Sequence, residues 1–325
     1  MLEKDMVEKV ESGTFRVFCT LFDSFYLSRG LLMIESLIAH CSKKPKIYVF
    51  CFDDLTHSVL TQLKLEGVIP VSLLEFETPS LLAIKSGRSK GEYCWTCTPH
   101  VLKHVIEQMG EQECTYVDAD LYFYDNPEVA IPRLDQGSVL ITEHRYTPEY
   151  DQSSTSGRFC VQFVTFINEP RAKQLLDQWG DQCLEWCFAR HEPGRFGDQF
   201  YLDAWPAAGQ WVLISDDRRV GVAPWNIQQY TSDDPIPYFY HFHDLKWNED
   251  GRFDLGGYRL EPWVRNRLYF PYVRAWIEKS EQLFASFGVP LPRVRTPKSG
   301  WAQGLKYWLK SWIKRDKLIH ISRFI

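Results

Sequence analysis

The chain has 325 residues, enough for one large α/β domain or two smaller ones with a sizeable core. It carries 42 acidic and 37 basic side chains, and a formal net charge of −5 gives no reason to expect nucleic acid as a partner. No apolar run approaches the roughly 20 residues that a membrane-spanning helix requires.

Strands and helices alternate through most of the chain, which predicts right-handed βαβ units and a parallel sheet. Residues 143–158 form a polar, turn-rich loop that we expect to cover a ligand at the carboxyl ends of the strands. The apolar patterns predict strands at 15–21, 46–52, 68–76, 139–142, 161–167, 212–215 and 238–242, a further strand ending near Asp118, and helices at 28–40, 53–65, 99–109, 170–190 and 261–287. In this interpretation Thr98-Pro99 begins the third helix, and 238–242 completes the sheet.

The most informative stretch is Tyr116–Asp125, in which Asp118 and Asp120 stand two residues apart where a strand is predicted to end. Side chains at that spacing on a strand point to one face, so the two carboxylates would repel unless a cation lies between them. Mg²⁺ and Mn²⁺ accept such oxygen ligands together with water and substrate phosphates. The alternative is an ordinary solvated turn.

The nine cysteines lie mainly in apolar segments, and no secretory signal precedes them, so we expect reduced thiols and an intracellular protein. The pairs Cys94/Cys97 and Cys183/Cys187 leave open a four-thiolate zinc site, although buried neutral cysteines are common on helices. The 12 Trp, 16 Tyr and 21 Phe suit either a carbohydrate-binding surface or a large aromatic core.

The last segment differs from the rest. Prolines at 290, 292 and 297 separate it from residues 1–289, and 301–313 carries Trp and Leu on one helical stripe with basic residues beside it. We therefore predict a body at 1–289, followed at 290–325 by a proline-rich linker and a basic, Trp-rich amphipathic helix. Such a helix suits an anionic membrane surface, and docking on the domain or on a second subunit remains the alternative.

Together these features resemble the GT-A glycosyltransferases, nucleotide-sugar-dependent enzymes, and are most similar to bacterial members related to glycosyltransferase family 8. The resemblance implies an α/β fold with a mixed, mostly parallel sheet flanked by helices. The matching elements cover most of the first 250 residues: the first strand, Tyr116–Asp120 as the metal-binding Asp-x-Asp motif, Gly197-Asp198-Gln199 with Tyr201-Leu202-Asp203, and Tyr240-His241-Phe242 with Lys246-Trp247.

The resemblance assigns roles to single residues. Asp118, Asp120 and His241 would hold Mn²⁺ or Mg²⁺ on the diphosphate of the donor, with Mn²⁺ preferred because histidine is a ligand. His243 is a rival ligand, and His241 in an aromatic core is the structural alternative. Lys246 would add positive charge at the leaving group.

Two further pairs complete the implied site. Thr20 and Phe22, at the end of the first strand, would contact the nucleotide. Asp198 would bind sugar hydroxyls and Gln199 would lie near the anomeric carbon; Asp198 could equally serve as a helix N-cap.

The chain departs from the family pattern at several positions. Phe159-Cys160-Val161-Gln162 stands where relatives often have Phe-Asn-x-Gly, so an expected Asn is missing. An Arg of the helix before the metal strand is also absent, and Lys85 or Lys90 would substitute for it. Asp244 replaces a usual Gly, and no Pro separates Lys246 from Trp247.

The implied function is metal-dependent transfer of a sugar from a nucleotide-diphosphate sugar to a hydroxyl of a glycan or lipid-linked acceptor, in bacterial surface polysaccharide synthesis. His241 and the Asp198-Gln199 element, by the same resemblance, favour retention of anomeric configuration. An inverting enzyme would need a carboxylate base near the acceptor, for which Glu143 and Asp151 are the candidates. The expected location is cytoplasmic or peripheral on the inner face of the plasma membrane.

Two other functions are compatible with parts of the sequence. One is a non-catalytic scaffold of the same fold that binds a nucleotide sugar or a membrane glycan. The other is a phosphatase or phosphotransferase of the haloacid-dehalogenase type, which also uses Asp-x-Asp, but whose motif follows the first strand and has Thr or Val where this chain has Tyr122.

Overall fold

A computed structural model describes residues 16–131, 137–294 and 318–320. Within these residues the strands form one large sheet and two small ones. The strands are β1 (Val17–Phe22), β2 (Lys46–Cys51), β3 (Val68–Ser72), β4 (Glu113–Val117), β5 (Leu121–Phe123), β6 (Val139–Glu143), β7 (Phe159–Ile167), β8 (Val212–Ile214), β9 (Phe239–His241), β10 (Lys246–Asn248), β11 (Arg252–Asp254), β12 (Arg293–Val294) and β13 (Leu318–His320).

The large sheet contains seven strands in the order β3-β2-β1-β4-β7-β6-β8. Most neighbours are parallel, but β7 runs antiparallel to both β4 and β6. All nine residues of β7 and all six of β1 are buried, as expected for strands covered by helices on both faces. The predicted α/β architecture with a mixed, mostly parallel sheet is thereby confirmed.

Helices pack on both sides of this sheet, and their apolar stripes complete the core. The α-helices span Leu27–His40, Asp54–Leu63, Leu73–Phe76, Pro79–Lys85, Lys90–Lys103, Ser153–Ser156, Pro170–Glu185, Pro262–Val264 and Phe270–Phe287. Turns of π-helix lie at His104–Gln108 and Arg265–Tyr269, and 3₁₀ turns at Pro127–Ala130, Pro148–Tyr150, Phe200–Ala208 and Ile227–Gln229.

The helix before β4 begins nine residues earlier than the Thr98-Pro99 prediction. Ser89 and Glu92 form a capping box that starts the helix at Lys90, so Pro99 lies in its interior. Proline removes a backbone donor there, and the Thr98 hydroxyl donates to the Cys94 carbonyl at 3.3 Å in the same turn. Three ends were also placed too late: β3 ends at Ser72, and two helices end at Leu63 and Glu185.

The prediction that 238–242 completes the large sheet is wrong. This segment forms a separate two-stranded sheet. Its strand β9 pairs antiparallel with β5, the strand that directly follows the two aspartates. In that register His241 lies opposite Leu121, and the Phe242 amide donates to the Asp120 carbonyl at 3.0 Å. This pairing fixes the distance between a histidine and an aspartate that are 121 residues apart in the sequence.

A four-stranded sheet in the order β12-β10-β11-β13 packs against the long helix Phe270–Phe287 through aromatic side chains such as Trp247 and Trp276. Two strands of this sheet flank the predicted tail helix in the sequence. They are β12 (293–294), which pairs with β10, and β13 (318–320), which pairs with β11. The predicted amphipathic helix at 301–313 lies outside the described residues. In the described part, every helix is too short or too polar to cross a membrane.

Candidate active site

A cavity of about 790 Å³ opens at the carboxyl ends of β1 and β4. In open α/β sheets this edge is where ligands bind. Residues from both strand ends, from β7 and from the loop at 143–158 form its walls, including Phe22, Asp118, Val161 and Gln152. The volume lies in the range of pockets that enclose small-molecule substrates.

Three ligand-type side chains converge on one side of the cavity, and we call this group the metal corner: Asp118, Asp120 and His241. One ligand atom from each lies within 4.8 Å of the others. His241 Nε2 is 3.0 Å from Asp120 Oδ1 and 4.0 Å from Asp118 Oδ2. In the described residues this is the one group of three or more acidic, histidine or cysteine side chains arranged in this way.

Each aspartate of the metal corner has one oxygen held by the protein and the other directed at His241. The Tyr116 hydroxyl donates to Asp118 Oδ1 at 3.0 Å, and Arg29 Nη2 lies 3.4 Å from Asp120 Oδ2. Both aspartates follow the last residue of β4, so they sit in a turn and not on the strand itself. The turn still brings the two carboxylates together.

Burial and nearby charges shift the pKa values of the two aspartates of the metal corner in opposite directions. Burial raises the pKa of Asp118 to about 6, and the charge of Asp120 adds to the shift, while His241 opposes it. Burial also disfavours ionised Asp120, but the charges of His241 and Arg29 outweigh it and lower the pKa of that carboxyl. Asp120 in turn raises the pKa of His241 against the effect of burial. His241 and Arg29 are the neighbouring groups whose positive charge favours the ionised carboxylates.

This donor set fits a divalent cation. Two carboxylate oxygens and one imidazole nitrogen are an arrangement that Mn²⁺ accepts readily, whereas Mg²⁺ prefers an all-oxygen shell. His243, the rival ligand, is exposed; it lines the cavity with its ring centroid 5.6 Å from that of His241, but it is not part of the converging group. The predicted zinc alternative finds no support, since the cysteine pairs form no such cluster in the described part of the chain.

Asp198 and Gln199 both line the cavity. Asp198 is 5% exposed, and burial together with the charge of Asp118 raises its pKa to about 7. It does not cap a helix, because the N-cap of the following 3₁₀ turn is Gln199. The Gln199 amide donates to the Ser156 carbonyl at 2.7 Å, which ties it to the loop at 143–158.

The remaining predicted residues are dispersed. Phe22 lines the cavity, whereas Thr20 is buried in β1 and is not part of the lining. Lys246 also lies outside the lining: it is exposed on β10 and pairs with Asp244. Of the two substitute lysines, Lys90 lines the cavity and Lys85 does not.

Neither proposed carboxylate base lines the cavity. Glu143 pairs with Arg158, and Asp151 accepts from the Ser153 amide at 2.9 Å in an exposed turn. Their neighbour His144 does line the cavity, where it is buried and stacks on Tyr146. Burial lowers the pKa of His144 to about 3, so the ring is neutral at physiological pH.

The side of the cavity around Cys160 is lined by three aromatic residues that we call the aromatic wall: Tyr146, Trp225 and Tyr258. They pack around the buried thiol of Cys160, the position where the resemblance to GT-A enzymes implies an Asn. Trp225 also lies edge-on to His241, with ring centroids 5.4 Å apart, so it touches both sides of the cavity. Each of these residues comes from a loop, where periodicity in the sequence gives no signal.

Sequence reasoning also missed Arg29. It is 5% exposed on the first helix, where Nη2 donates to the Phe242 carbonyl at 2.9 Å and the guanidinium lies 5.0 Å from the Trp276 ring centroid. The sequence does place a charged residue on the apolar face of a helix. Because such residues are rarely buried without a partner, this position could have indicated a buried ion pair.

No model of a protein family matches the chain. The uncharacterized protein YfnD of Bacillus subtilis (strain 168) is 30% identical over 288 residues, covering 83% of this chain and 92% of YfnD.

Among solved structures, the glycosyltransferase GlyE of Streptococcus pneumoniae TIGR4 superposes with a TM-score of 0.51 at 13% identity, over 84% of this chain and 64% of that one. An active-site mutant of LgtC superposes with the same TM-score at 9% identity, over 82% of this chain and 95% of that one. These likenesses establish the architecture. The chain therefore has the GT-A fold and belongs to the same protein family as YfnD.

Proposed function

We propose that the protein is a metal-dependent glycosyltransferase that moves a sugar from a nucleotide-diphosphate sugar to a hydroxyl of a glycan or a lipid-linked acceptor. The observation that carries the proposal is the metal corner, open to a cavity at the edge of the sheet where ligands bind in this kind of fold. A diphosphate group brings the negative charge that such a cation site attracts.

In the proposed reaction, the bond between the anomeric carbon and the diphosphate oxygen breaks, and the nucleoside diphosphate leaves with the electron pair. The acceptor oxygen forms the new bond to the anomeric carbon, and its proton passes to the departing diphosphate. Asp118, Asp120 and His241 would hold Mn²⁺, or Mg²⁺ in its place, which when bound neutralises charge on the departing diphosphate.

Asp198 and Gln199 would bind the sugar. The buried Asp198 carboxyl faces the negative charge of Asp118, so hydrogen bonds donated by sugar hydroxyls would stabilise its ionised form. Gln199 is fixed to Ser156 through its amide nitrogen, which leaves its carbonyl oxygen for the substrate. Neither Glu143 nor Asp151, the two carboxylates named as bases for an inverting reaction, lines the cavity, and we favour retention of configuration.

The setting of the reaction is also part of the proposal. By analogy with bacterial relatives of the fold, we place it in surface polysaccharide synthesis on the cytoplasmic side of the plasma membrane, with 1–289 as the catalytic unit and 290–325 as a segment that binds anionic lipid. Truncation after Pro297 would test the last point. Binding to anionic vesicles should fall, and unchanged binding would refute it.

A scaffold without catalytic activity is the second candidate. Cys160, a buried thiol where relatives often have Asn, favours it because a polar contact to substrate is absent there. Intact ligand geometry in the metal corner opposes it, since a pure scaffold has no need of three converging ligand atoms.

One experiment tests the leading proposal. The protein is incubated with Mn²⁺ and a panel of nucleotide sugars, and release of the nucleoside diphosphate is followed with and without a chelator. We expect chelator-sensitive release from at least one donor, lost in Asp120→Asn and retained in Asp181→Asn, an exposed aspartate on the helix Pro170–Glu185. Donor binding without release would favour the scaffold, and no response to any donor would refute the proposal.

A further inference from the structure

Gln162 connects two members of the metal corner, although it lies outside the set of ligands. It is fully buried in the middle of β7. Its backbone carbonyl accepts from the Asp118 amide at 3.1 Å. Its side-chain oxygen lies 2.9 Å from His241 Nδ1.

The hydrogen bond between Gln162 and His241 determines which ring nitrogen of His241 is free to bind a cation. An amide oxygen only accepts, so Nδ1 must carry the hydrogen and donate it to Gln162 Oε1. Nε2, 3.0 Å from Asp120 Oδ1, is then the nitrogen whose lone pair can bind a cation. Metal-binding histidines are commonly oriented in this way by a partner on their other nitrogen.

Packing alone does not explain an amide at this position. Gln162 Nε2 is buried and has no hydrogen-bond partner among the described residues, which costs free energy that an apolar side chain would avoid. The amide also requires space: a β-carbon at Gly221, whose φ is +75°, would lie 3.2 Å from Nε2. The hydrogen bond between the Gln162 side-chain oxygen and His241 Nδ1 is a functional reason to keep an amide at this position despite that free-energy cost.

We infer that Gln162 is a positioning residue that fixes the ring orientation and tautomer of His241 for cation binding. The inference rests on the proposed function, because it requires the metal corner to bind a divalent cation. Gln162 acts through His241 and Asp118 and does not touch the cavity.

The test is direct binding of Mn²⁺, measured by electron paramagnetic resonance on the full-length protein without nucleotide sugar. Gln162→Leu keeps the volume but removes the acceptor, and we expect Mn²⁺ affinity to fall about 10- to 100-fold. Gln162→Glu restores an acceptor for Nδ1, and affinity should lie within about threefold of the wild type or above it. The matched control is Thr165→Val, another polar-to-apolar change at a fully buried position of β7, where the hydroxyl bonds Thr115 and not the site. It should leave affinity unchanged.

The outcomes are distinguishable. If the wild type binds Mn²⁺ and Gln162→Leu binds it equally well, the inference is wrong while the proposed function stands. If the wild type binds no Mn²⁺, both fail. Should Gln162→Leu not fold, Gln162→Met, which has a similar volume and no oxygen acceptor, takes its place in the Mn²⁺ titration. Unchanged Mn²⁺ affinity in that variant would overturn the inference.

Discussion

The metal corner and the aromatic wall face the same cavity but are built in different ways. Main-chain pairing between β5 and β9 and a buried contact from β7 hold the metal corner, so its three ligands occupy fixed positions. Tyr146, Trp225 and Tyr258 of the aromatic wall come from loops, which tolerate change more readily than paired strands do. Under the proposed function, the fold would fix the binding of the donor, and the loops would select the acceptor.

The largest effect is expected within the metal corner. His241→Leu removes the third ligand, and we expect donor turnover with Mn²⁺ to fall by about 100-fold or more, as when one group that stabilises developing charge is lost. His243→Leu is the matched comparison, because the second histidine lines the same cavity but is not part of the converging group. Its turnover should change far less. Equal losses in the two variants would show that the rival histidine also binds the metal.

Arg29 tests how far the metal corner depends on the core behind it. Arg29→Leu leaves the Asp120 carboxylate and the Phe242 carbonyl without their donor, and breaking a buried ion pair in this way costs about 3 kcal/mol in free energy of unfolding. Urea unfolding of the metal-free protein measures it. Lys279→Leu, which removes a cation paired with exposed Glu35, should cost less than about 1 kcal/mol. If Arg29→Leu loses no more free energy of unfolding than Lys279→Leu, the metal corner does not depend on Arg29.

Asp198, beside the metal corner, makes the stability of the protein depend on pH. Its pKa rises from 3.8 in the unfolded chain to about 7 in the folded protein, so the native state binds the extra proton between those values and stability falls as pH increases through that window. Asp198→Asn lacks this loss. Between pH 5.5 and pH 8 its free energy of unfolding, relative to the wild type, should increase by about 2 kcal/mol in the presence of chelator. If the difference in free energy of unfolding between the two proteins does not vary with pH, burial does not raise the pKa of Asp198.

The smallest effect belongs to the aromatic wall. Tyr258 lies in a loop and packs edge-on against Tyr150, with ring centroids 5.0 Å apart. Tyr258→Ala should reduce transfer to an acceptor by about tenfold, as expected for one lost aromatic contact, and should leave Mn²⁺ affinity and donor hydrolysis nearly unchanged. If donor hydrolysis falls in parallel with transfer, the two sides of the cavity do not have separate tasks.

The sequence predicted the elements with strong periodicity and the residues with distinctive chemistry. Asp118 and Asp120 stand out by their spacing, and the resemblance to GT-A enzymes supplied His241. Three features escaped it for physical reasons. Arg29 and Gln162 interrupt apolar patterns, and the sequence does not show which distant group each one meets. Residues 238–242 were assigned to the wrong sheet because strand pairing depends on tertiary context more than on local pattern.

The central claim is that Asp118, Asp120 and His241 form one divalent-cation site that serves a nucleotide diphosphate. Mn²⁺ titration by electron paramagnetic resonance, with and without a nucleoside diphosphate, tests it most directly. The account predicts saturable binding of one Mn²⁺ per chain, tighter with the diphosphate present, and loss of both in the double variant Asp118→Asn/Asp120→Asn. Binding that is absent in the wild type, or unchanged in the double variant, would contradict it.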